Sequence, residues 1–242
     1  MFVKTFILSL LLTGSGKVIA QPGNDPVYMF CYFKGNGEDG LHYAQSTDGY
    51  TWKTMFNDSS VLTPTVSKDK LMRDPCIIKG KDGKYHMVWT VSWNDRGIGY
   101  ASSGDLLHWS EQRFIPVMAH EDSARNTWAP EITYDGREEY MIYWATTITG
   151  RFALTDPSAE SKYNHRIYYT TTKDFKKFSK TKLLYDPGFN VIDASIVKNN
   201  KDFVMFLKNE TRSPVEKNIR IAVSKKLTGP YTAAGPAITG NY

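Results

Sequence analysis

The stretch that decides the fold is a short strand-like run that recurs along the chain. Its most regular copies are LHYAQSTD (41–48), IGYASSGD (98–105) and IYYTTTKD (167–174), with a weaker copy RIAVS (220–224). In the first three copies an aromatic residue follows the aspartate by four positions, at Trp52, Trp109 and Phe178. Counted from Ala44, the copies recur at intervals of 57, 69 and 52 residues. Repetition at this period is typical of β-propeller blades.

A second pattern precedes three of these copies. It reads DPCII (74–78), APEI (129–132) and DASIV (193–197), and each is followed by a turn and a run of aromatic and β-branched residues. Such short runs between turns predict strands. No segment has a sustained helical period. We therefore predict an all-β propeller, since the alternative, a β-sandwich, would not explain the repetition.

Residues 1–20 differ from the rest of the chain. Lys4 precedes the apolar run 6–12, and the small residue Ala20 offers a cleavage site before Gln21. This order predicts a secretory signal peptide over 1–20 and a secreted or periplasmic protein. A membrane anchor is the alternative, but the apolar run is far shorter than the roughly 20 residues of a spanning helix, and no later segment could span a bilayer. Residues 21–242 are predicted to form a single domain.

The composition excludes several classes of protein. With 41% hydrophobic, 14% aromatic and 23% charged residues, the chain is neither disordered, collagen-like nor a coiled coil. Its net charge of +5 would become +3 after cleavage, because the leader contains two lysines and no acidic residue. The remaining lysines form scattered groups that we interpret as solvated surface, at positions 79, 81 and 84, at 173, 176 and 177, and at 198 and 201. We expect no nucleic-acid partner.

The two cysteines allow two interpretations. Cys31 and Cys76 could form a disulfide in an oxidising compartment, or both could remain buried free thiols. Their spacing does not match a metal site.

Three motifs in order along the chain resemble glycoside hydrolase family 43, whose clan also contains fructan-cleaving hydrolases. They are RDP (73–75), WAPE (128–131) and IDAS (192–195), and the resemblance covers roughly residues 25–242. It implies a five-bladed β-propeller, of which about four blades are present in this chain. It also implies inverting hydrolysis of arabinofuranosyl or xylosyl linkages in plant-type polysaccharides, without a cofactor. A structural calcium ion could lie on the axis near a histidine such as His165, although we expect a structural role for that residue.

The resemblance also implies roles for individual residues. Asp74 would be the general base, and Asp193 would raise the pKa of the general acid. The family carries that acid in a Glu-Gly-Pro-like motif, which does not occur before Tyr242, so we expect the acid beyond this position. Within the chain, three glutamates are poor candidates for the acid: Glu131, Glu210 and Glu216.

The aromatic residues and the repeated aspartates divide into two groups. Trp93 and Trp128 are predicted to bind substrate, since sugar C–H faces pack on aromatic rings. Three tryptophans are predicted to lie in the core: Trp52, Trp109 and Trp144. Three aspartates next to turns are predicted to cap the blades: Asp48, Asp105 and Asp174. Two alternative functions remain open, a carbohydrate-binding propeller without catalysis and a fructan-type glycosidase of the same clan.

Overall fold

The computed structural model describes residues 27–152 and 163–241. The predicted signal peptide and its cleavage site lie outside the described residues. Within them the regular structure consists of fourteen β-strands and one short 3₁₀ turn, Phe56–Asp58. The aromatic and β-branched runs of the sequence form the strands, where such side chains pack well on a pleated surface.

The strands form four antiparallel sheets in chain order. The first contains β1 (Tyr28–Tyr32), β2 (His42–Ser46) and β3 (Lys53–Thr54). The second contains β4 (Arg73–Lys79), β5 (Tyr85–Thr90), β6 (Ile98–Ser103) and β7 (Arg113–Ile115). The third contains β8 (Trp128–Tyr134), β9 (Tyr140–Thr147), β10 (His165–Thr172) and β11 (Lys182–Tyr185). The fourth contains β12 (Val191–Asn199), β13 (Asp202–Asn209) and β14 (Asn218–Ser224).

Neighbouring sheets meet through the strands that open them. Strand β4 contacts β1 on one side and β8 on the other, and β8 contacts β12. Within each sheet the chain then steps outward from one strand to the next. This radial order is that of propeller blades. It confirms the prediction of an all-β protein with about four blades in this chain.

The repeated sequence run forms equivalent strands and turns in the blades. Its copies lie in β2, β6, β10 and β14. In the turn after β6, one carboxylate oxygen of Asp105 accepts hydrogen bonds from the backbone N–H groups of Leu107 and His108, at 2.9 and 2.8 Å. Asp48 and Asp174 accept the equivalent pairs in their own turns. The predicted capping role of these aspartates is confirmed.

The core fills the spaces between the sheets. Of the three tryptophans predicted to lie in the core, one is fully buried. Trp144 is buried, and Trp109 is half-buried with its indole N–H donating to the carbonyl of Leu106 at 3.1 Å. The prediction for Trp52 was wrong. Its ring is 41% exposed and packs on Phe30, which is also exposed, so this pair is not covered by another part of the described chain.

The surface agrees with the charge analysis. The lysines predicted to be solvated are exposed. Both cysteines are free thiols: Cys31 Sγ donates to the carbonyl of Pro75 at 3.2 Å, and Cys76 Sγ accepts from the N–H of Ile132 at 3.4 Å. In the described part of the chain, no helix has the length and apolar character needed to cross a membrane.

The packing inside the second blade generates a prediction about stability. Gly99 of β6 lies opposite the buried Trp89 of β5, and a Cβ atom at this glycine would overlap the indole ring. We expect Gly99→Ala to destabilise the protein by about 1–3 kcal/mol, the usual cost of overpacking a core. The free energy of unfolding from urea titration measures this change.

Gly104 provides the matched control, because a Cβ atom there would meet no atom within 4 Å. Gly104→Ala should leave the urea midpoint nearly unchanged. Equal midpoints for the two variants would contradict the proposed packing.

Candidate active site

Three strands that open blades share an irregular backbone at the same position. Asp74, Ala129 and Asp193 have positive φ angles of 50°, 46° and 51°. Each lies where the pairing of β4, β8 or β12 with the next strand shifts register. Such bulges redirect a side chain out of the regular pleat. The positive φ is costly for residues other than glycine, and this strain is typical of functional sites.

These bulges surround a cavity of about 380 Å³. This volume lies within the usual range for ligand pockets, roughly 300–1,000 Å³. All four residues predicted from the sequence to form the site line this cavity: Asp74, Asp193, Trp93 and Trp128. Among the described residues, eight others also line it: Arg73, Thr90, Tyr163, His165, Asn190, Ile192, Glu210 and Arg212.

One wall of the cavity is aromatic. The Trp93 and Trp128 rings meet edge to face with centroids 5.4 Å apart, and the Trp128 ring also packs on Tyr163 and His165, each at 4.8 Å. The indole N–H of Trp128 donates to the carbonyl of Trp93 at 3.0 Å. Trp93 remains 42% exposed. The wall therefore offers a fixed apolar surface on which a sugar ring can pack.

Asn36 and Arg73 fix the position of Trp93. The indole N–H of Trp93 donates to Asn36 Oδ1 at 2.9 Å, and the Arg73 guanidinium donates to the same oxygen at 3.2 Å. The guanidinium also lies 4.4 Å from the centre of the Trp93 ring, in a cation–π contact. Arg73, which precedes Asp74 in β4, thus links the strand that carries this aspartate to the aromatic wall.

Asp74 is held by a neutral donor. The Thr90 hydroxyl donates to Asp74 Oδ2 at 3.0 Å and accepts a hydrogen bond from the N–H of Ala129 at 2.8 Å. Burial raises the pKa of Asp74, and the hydrogen bond from Thr90 and the charge of Arg73 offset this increase only in part. A carboxylate with a raised pKa is a stronger base than an exposed one.

Asp193 is held by a cation. Lys208 Nζ lies 3.5 Å from Asp193 Oδ2 and 3.2 Å from Glu210 Oε2. The Asp193 side chain is half exposed to the cavity, yet burial still raises its pKa, Lys208 lowers it, and the charge of Asp74 raises it again. The effect of Asp74 on Asp193 indicates that the two carboxylates are close enough for the charge of Asp74 to act on Asp193.

Glu210 is the third carboxylate of the cavity, and cations surround it. Lys217 Nζ lies 2.9 Å from Oε1, and an Arg212 nitrogen lies 3.8 Å from the same atom. Burial would raise the pKa of Glu210, but the hydrogen bond from Lys217 and the charge of Lys208 lower it below its ordinary range. Glu210 is therefore held ionised near neutral pH.

Comparisons with known proteins agree with this geometry. A family model described as "Probable glycosyl hydrolase domain", of a group related to glycoside hydrolase family 43, matches residues 25–241. The chain belongs to this family. An α-L-arabinofuranosidase of Bifidobacterium longum subsp. longum is 26% identical over 219 residues, which cover 79% of this chain and 20% of that protein.

Solved structures share the fold of this glycosyl hydrolase domain. A native arabinanase of Bacillus subtilis superposes with a TM-score of 0.63 and 18% identity, covering 87% of this chain and 72% of that one. A family 43 β-1,3-galactosidase gives a TM-score of 0.61 and 14% identity, covering 87% and 43%. The chain thus spans about a fifth of the length of the arabinofuranosidase and less than half of the galactosidase.

His165 lines the cavity of this glycosyl hydrolase domain, which its sequence context did not indicate. Asn190 Oδ1 accepts from the backbone N–H of His165 at 2.8 Å and lies 2.9 Å from Nδ1, so Nδ1 carries the proton and Nε2 is an acceptor. Burial lowers the pKa of His165 to about 4. The imidazole is therefore neutral near pH 7 and can accept a hydrogen bond from a hydroxyl group.

The residues around His165 do not form a calcium cage. Over residues 27–152 and 163–241, no three or more His, Cys, Asp or Glu side chains are grouped so that they could hold a metal ion. Calcium takes six to eight oxygen ligands, whereas His165 offers one nitrogen.

Sequence reasoning missed several residues of the site. Glu210 was considered a poor candidate because it follows a strand, yet the structure places it in the cavity. The other two glutamates lie elsewhere: Glu131 accepts from the Tyr143 hydroxyl at 3.0 Å, and Glu216 pairs with Arg220 at 3.2 Å. Thr90 is the last residue of β5 and Lys208 is the last but one of β13, and only the pairing register of these strands could have revealed them.

The two hydrogen bonds of Thr90 generate a prediction. Thr90→Val should raise the pKa of Asp74, because the carboxylate loses its donor, and should destabilise the protein by about 1–3 kcal/mol, because the Ala129 N–H loses its acceptor. Carboxyl ¹³C NMR titration and urea unfolding measure the two effects. Thr54→Val, at an exposed strand position, is the control. An unchanged Asp74 titration in Thr90→Val would contradict the assigned bond.

Buried neutral His165 predicts a dependence of stability on pH. Its pKa is about 4 in the folded protein against an ordinary value of 6.5, so the unfolded chain binds a proton first as the pH falls. Binding of this proton by the unfolded chain lowers the free energy of unfolding below pH 6.5. The decrease is about 2–3 kcal/mol between pH 7 and pH 4.5. Urea unfolding of the wild type and His165→Gln at both pH values isolates the contribution. We expect the variant to lose less stability than the wild type on acidification. An equal loss in both proteins would show that His165 does not contribute to the pH dependence.

Proposed function

We propose that this domain is part of an inverting glycoside hydrolase with Asp74 as the general base. The observation that carries the proposal is the convergence of two aspartates, Asp74 and Asp193, from equivalent bulges of different blades onto one cavity with an aromatic wall. Hydrolysis with inversion needs two carboxyl groups on opposite sides of the scissile bond. Separate blades can provide such opposed groups.

In the proposed reaction Asp74 takes a proton from a water molecule as that water attacks the anomeric carbon. Thr90 binds one carboxylate oxygen of Asp74, which leaves the other oxygen for the water. The raised pKa of Asp74 strengthens it as a base. Trp93 and Trp128 hold the sugar ring against the wall.

Asp193 has an electrostatic role in this proposal. Its negative charge raises the pKa of the acid that protonates the leaving oxygen, since two close carboxylates ionise together only at a high cost. Glu210 does not suit the role of the acid, because three cations hold it ionised. The proposal therefore identifies the base and the modulating aspartate, and the acid is a residue other than these three carboxylates.

The proposed substrates are arabinofuranosyl or xylosyl linkages of plant-type polysaccharides. The related arabinofuranosidase and arabinanase support the arabinose class. We further propose that the protein is secreted or periplasmic, because the leader-like segment 1–20 would bring it to polymers outside the cytoplasm.

Substitution of the base tests the proposal. We expect Asp74→Asn to lower kcat by about 10²–10⁴-fold, the usual contribution of a general base, while binding of sugar changes little. Turnover of the protein expressed from its full coding sequence is measured with nitrophenyl arabinofuranoside, nitrophenyl xyloside, arabinan and β-1,3-galactan, and binding by calorimetry with arabino-oligosaccharides. Asp105→Asn is the control, because Asp105 caps a surface turn. Normal turnover by Asp74→Asn would exclude Asp74 as the base.

A carbohydrate-binding module without catalysis is the second candidate. The observation that favours it is the ionised state of Glu210, the one glutamate among the described residues of the lining. This function predicts no turnover by the wild type on any of these substrates, with sugar binding that is lost in Trp128→Ala.

A further inference from the structure

One position of the second strand lies beside the bulge in three successive blades. Thr90 of β5 lies opposite Arg73, Ala145 of β9 lies opposite Trp128, and Lys208 of β13 lies opposite Ile192. In each case the partner is the residue just before the bulge. These three residues are therefore structurally equivalent, although their chemistry differs.

The polarity of the side chain at this second-strand position varies with that of the bulge residue beside it. Where the second strand has alanine, the bulge residue is Ala129, which has no polar side chain. Where it has threonine or lysine, the bulge residue is an aspartate, and the side chains are in contact at 3.0 Å for Thr90 and 3.5 Å for Lys208. The two aspartates thus occupy the same backbone position beside partners of different charge.

Lys208 is itself fixed in place by charge. The ammonium group lies between Asp193 and Glu210, and its side chain is only 20% exposed. Glu210 is almost buried and is also held by Lys217 at 2.9 Å. Because Lys217 also pairs with Glu210, Lys208 is not the sole cation that balances the charge of Glu210. The positive charge of Lys208 therefore still acts on Asp193.

We propose that Lys208 is a positioning residue that keeps Asp193 ionised and distinguishes it from Asp74, which has only a hydroxyl partner. An opposite charge within about 4–6 Å favours the ionised carboxylate, whereas a hydroxyl donor adds no charge. The bulge sets where the two carboxylates point, and the second-strand residue sets the charge that lies beside each one. The effect on the reaction rests on the proposed function, but the effect on Asp193 does not.

Several other groups face Asp193 and would influence its titration. Glu210 and Asp74 add negative charge, whereas Arg73 and Arg212 add positive charge from the cavity lining. His165 is neutral above about pH 5 and does not compete with Lys208 in that range.

Carboxyl ¹³C NMR titration of Asp193 tests the proposal, with the signal identified by its loss in Asp193→Asn. We expect Lys208→Met to raise the midpoint of Asp193 by about one pH unit or more, and Lys208→Arg to restore most of the shift. Lys201→Met is the matched control, because Lys201 lies in the exposed turn of the same blade, and it should leave the midpoint unchanged. An unmoved Asp193 midpoint in folded Lys208→Met would overturn the proposal.

The double variant Lys208→Met with Glu210→Gln removes one charge of each sign and keeps the test valid if the single variant does not fold. Its Asp193 midpoint should also lie above that of Glu210→Gln alone, and an equal value would overturn the proposal.

An activity measurement then connects Lys208 to the reaction. In a protein with turnover, the acidic limb of the kcat/KM profile should move to higher pH in Lys208→Met, because Asp193 has to be ionised to raise the pKa of the acid, and should return in Lys208→Arg. A shifted Asp193 midpoint, together with no turnover by the protein expressed from its full coding sequence, would refute the proposed hydrolase while leaving the role of Lys208 intact.

Discussion

The site depends on one backbone constraint, the positive φ angle at the start of the blade-opening strands. A residue other than glycine adopts this conformation at a cost of about 1–3 kcal/mol, which the surrounding sheet must offset. Asp74, Ala129 and Asp193 all adopt it, with φ between 46° and 51°. Since Ala129 has the same strain without a polar side chain, the bulge belongs to the architecture of the blade. The aspartates use a geometry that the fold already provides.

Hydrogen bonds between blades then make this geometry rigid. The Thr90 hydroxyl accepts from the backbone of Ala129 in the next blade while it donates to Asp74. The Tyr143 hydroxyl acts similarly one blade later, because it accepts from the N–H of Ile196 at 2.9 Å and donates to Glu131 at 3.0 Å. Each bond fixes the angle between neighbouring sheets. A displacement of one blade would therefore also displace the carboxylate at its opening strand.

The sequence predicted the part of the site that follows from repetition. Asp74 and Asp193 begin equivalent units, so their convergence follows from the radial symmetry of a propeller, and the capping aspartates follow from the same periodicity. Lys208 and Glu210 could not be predicted, because their meaning depends on a register shift in the β12–β13 pair that no local pattern reveals. The prediction that Trp52 lies in the core was wrong for a physical reason. A repeated aromatic position predicts where a side chain lies in its blade, whereas its burial depends on which other residues cover it.

The balance of charge explains how one small cavity can hold three carboxylates. Burial raises the pKa of Asp74 and of Asp193, and the negative charge of Asp74 raises the pKa of Asp193 further. Nearby cations oppose this increase, because an opposite charge favours the ionised carboxylate. The positive groups lie beside Asp193 and Glu210, whereas Asp74 has a hydroxyl partner and the more distant Arg73. The two aspartates therefore have partners of different charge, although both occupy the same position of a blade.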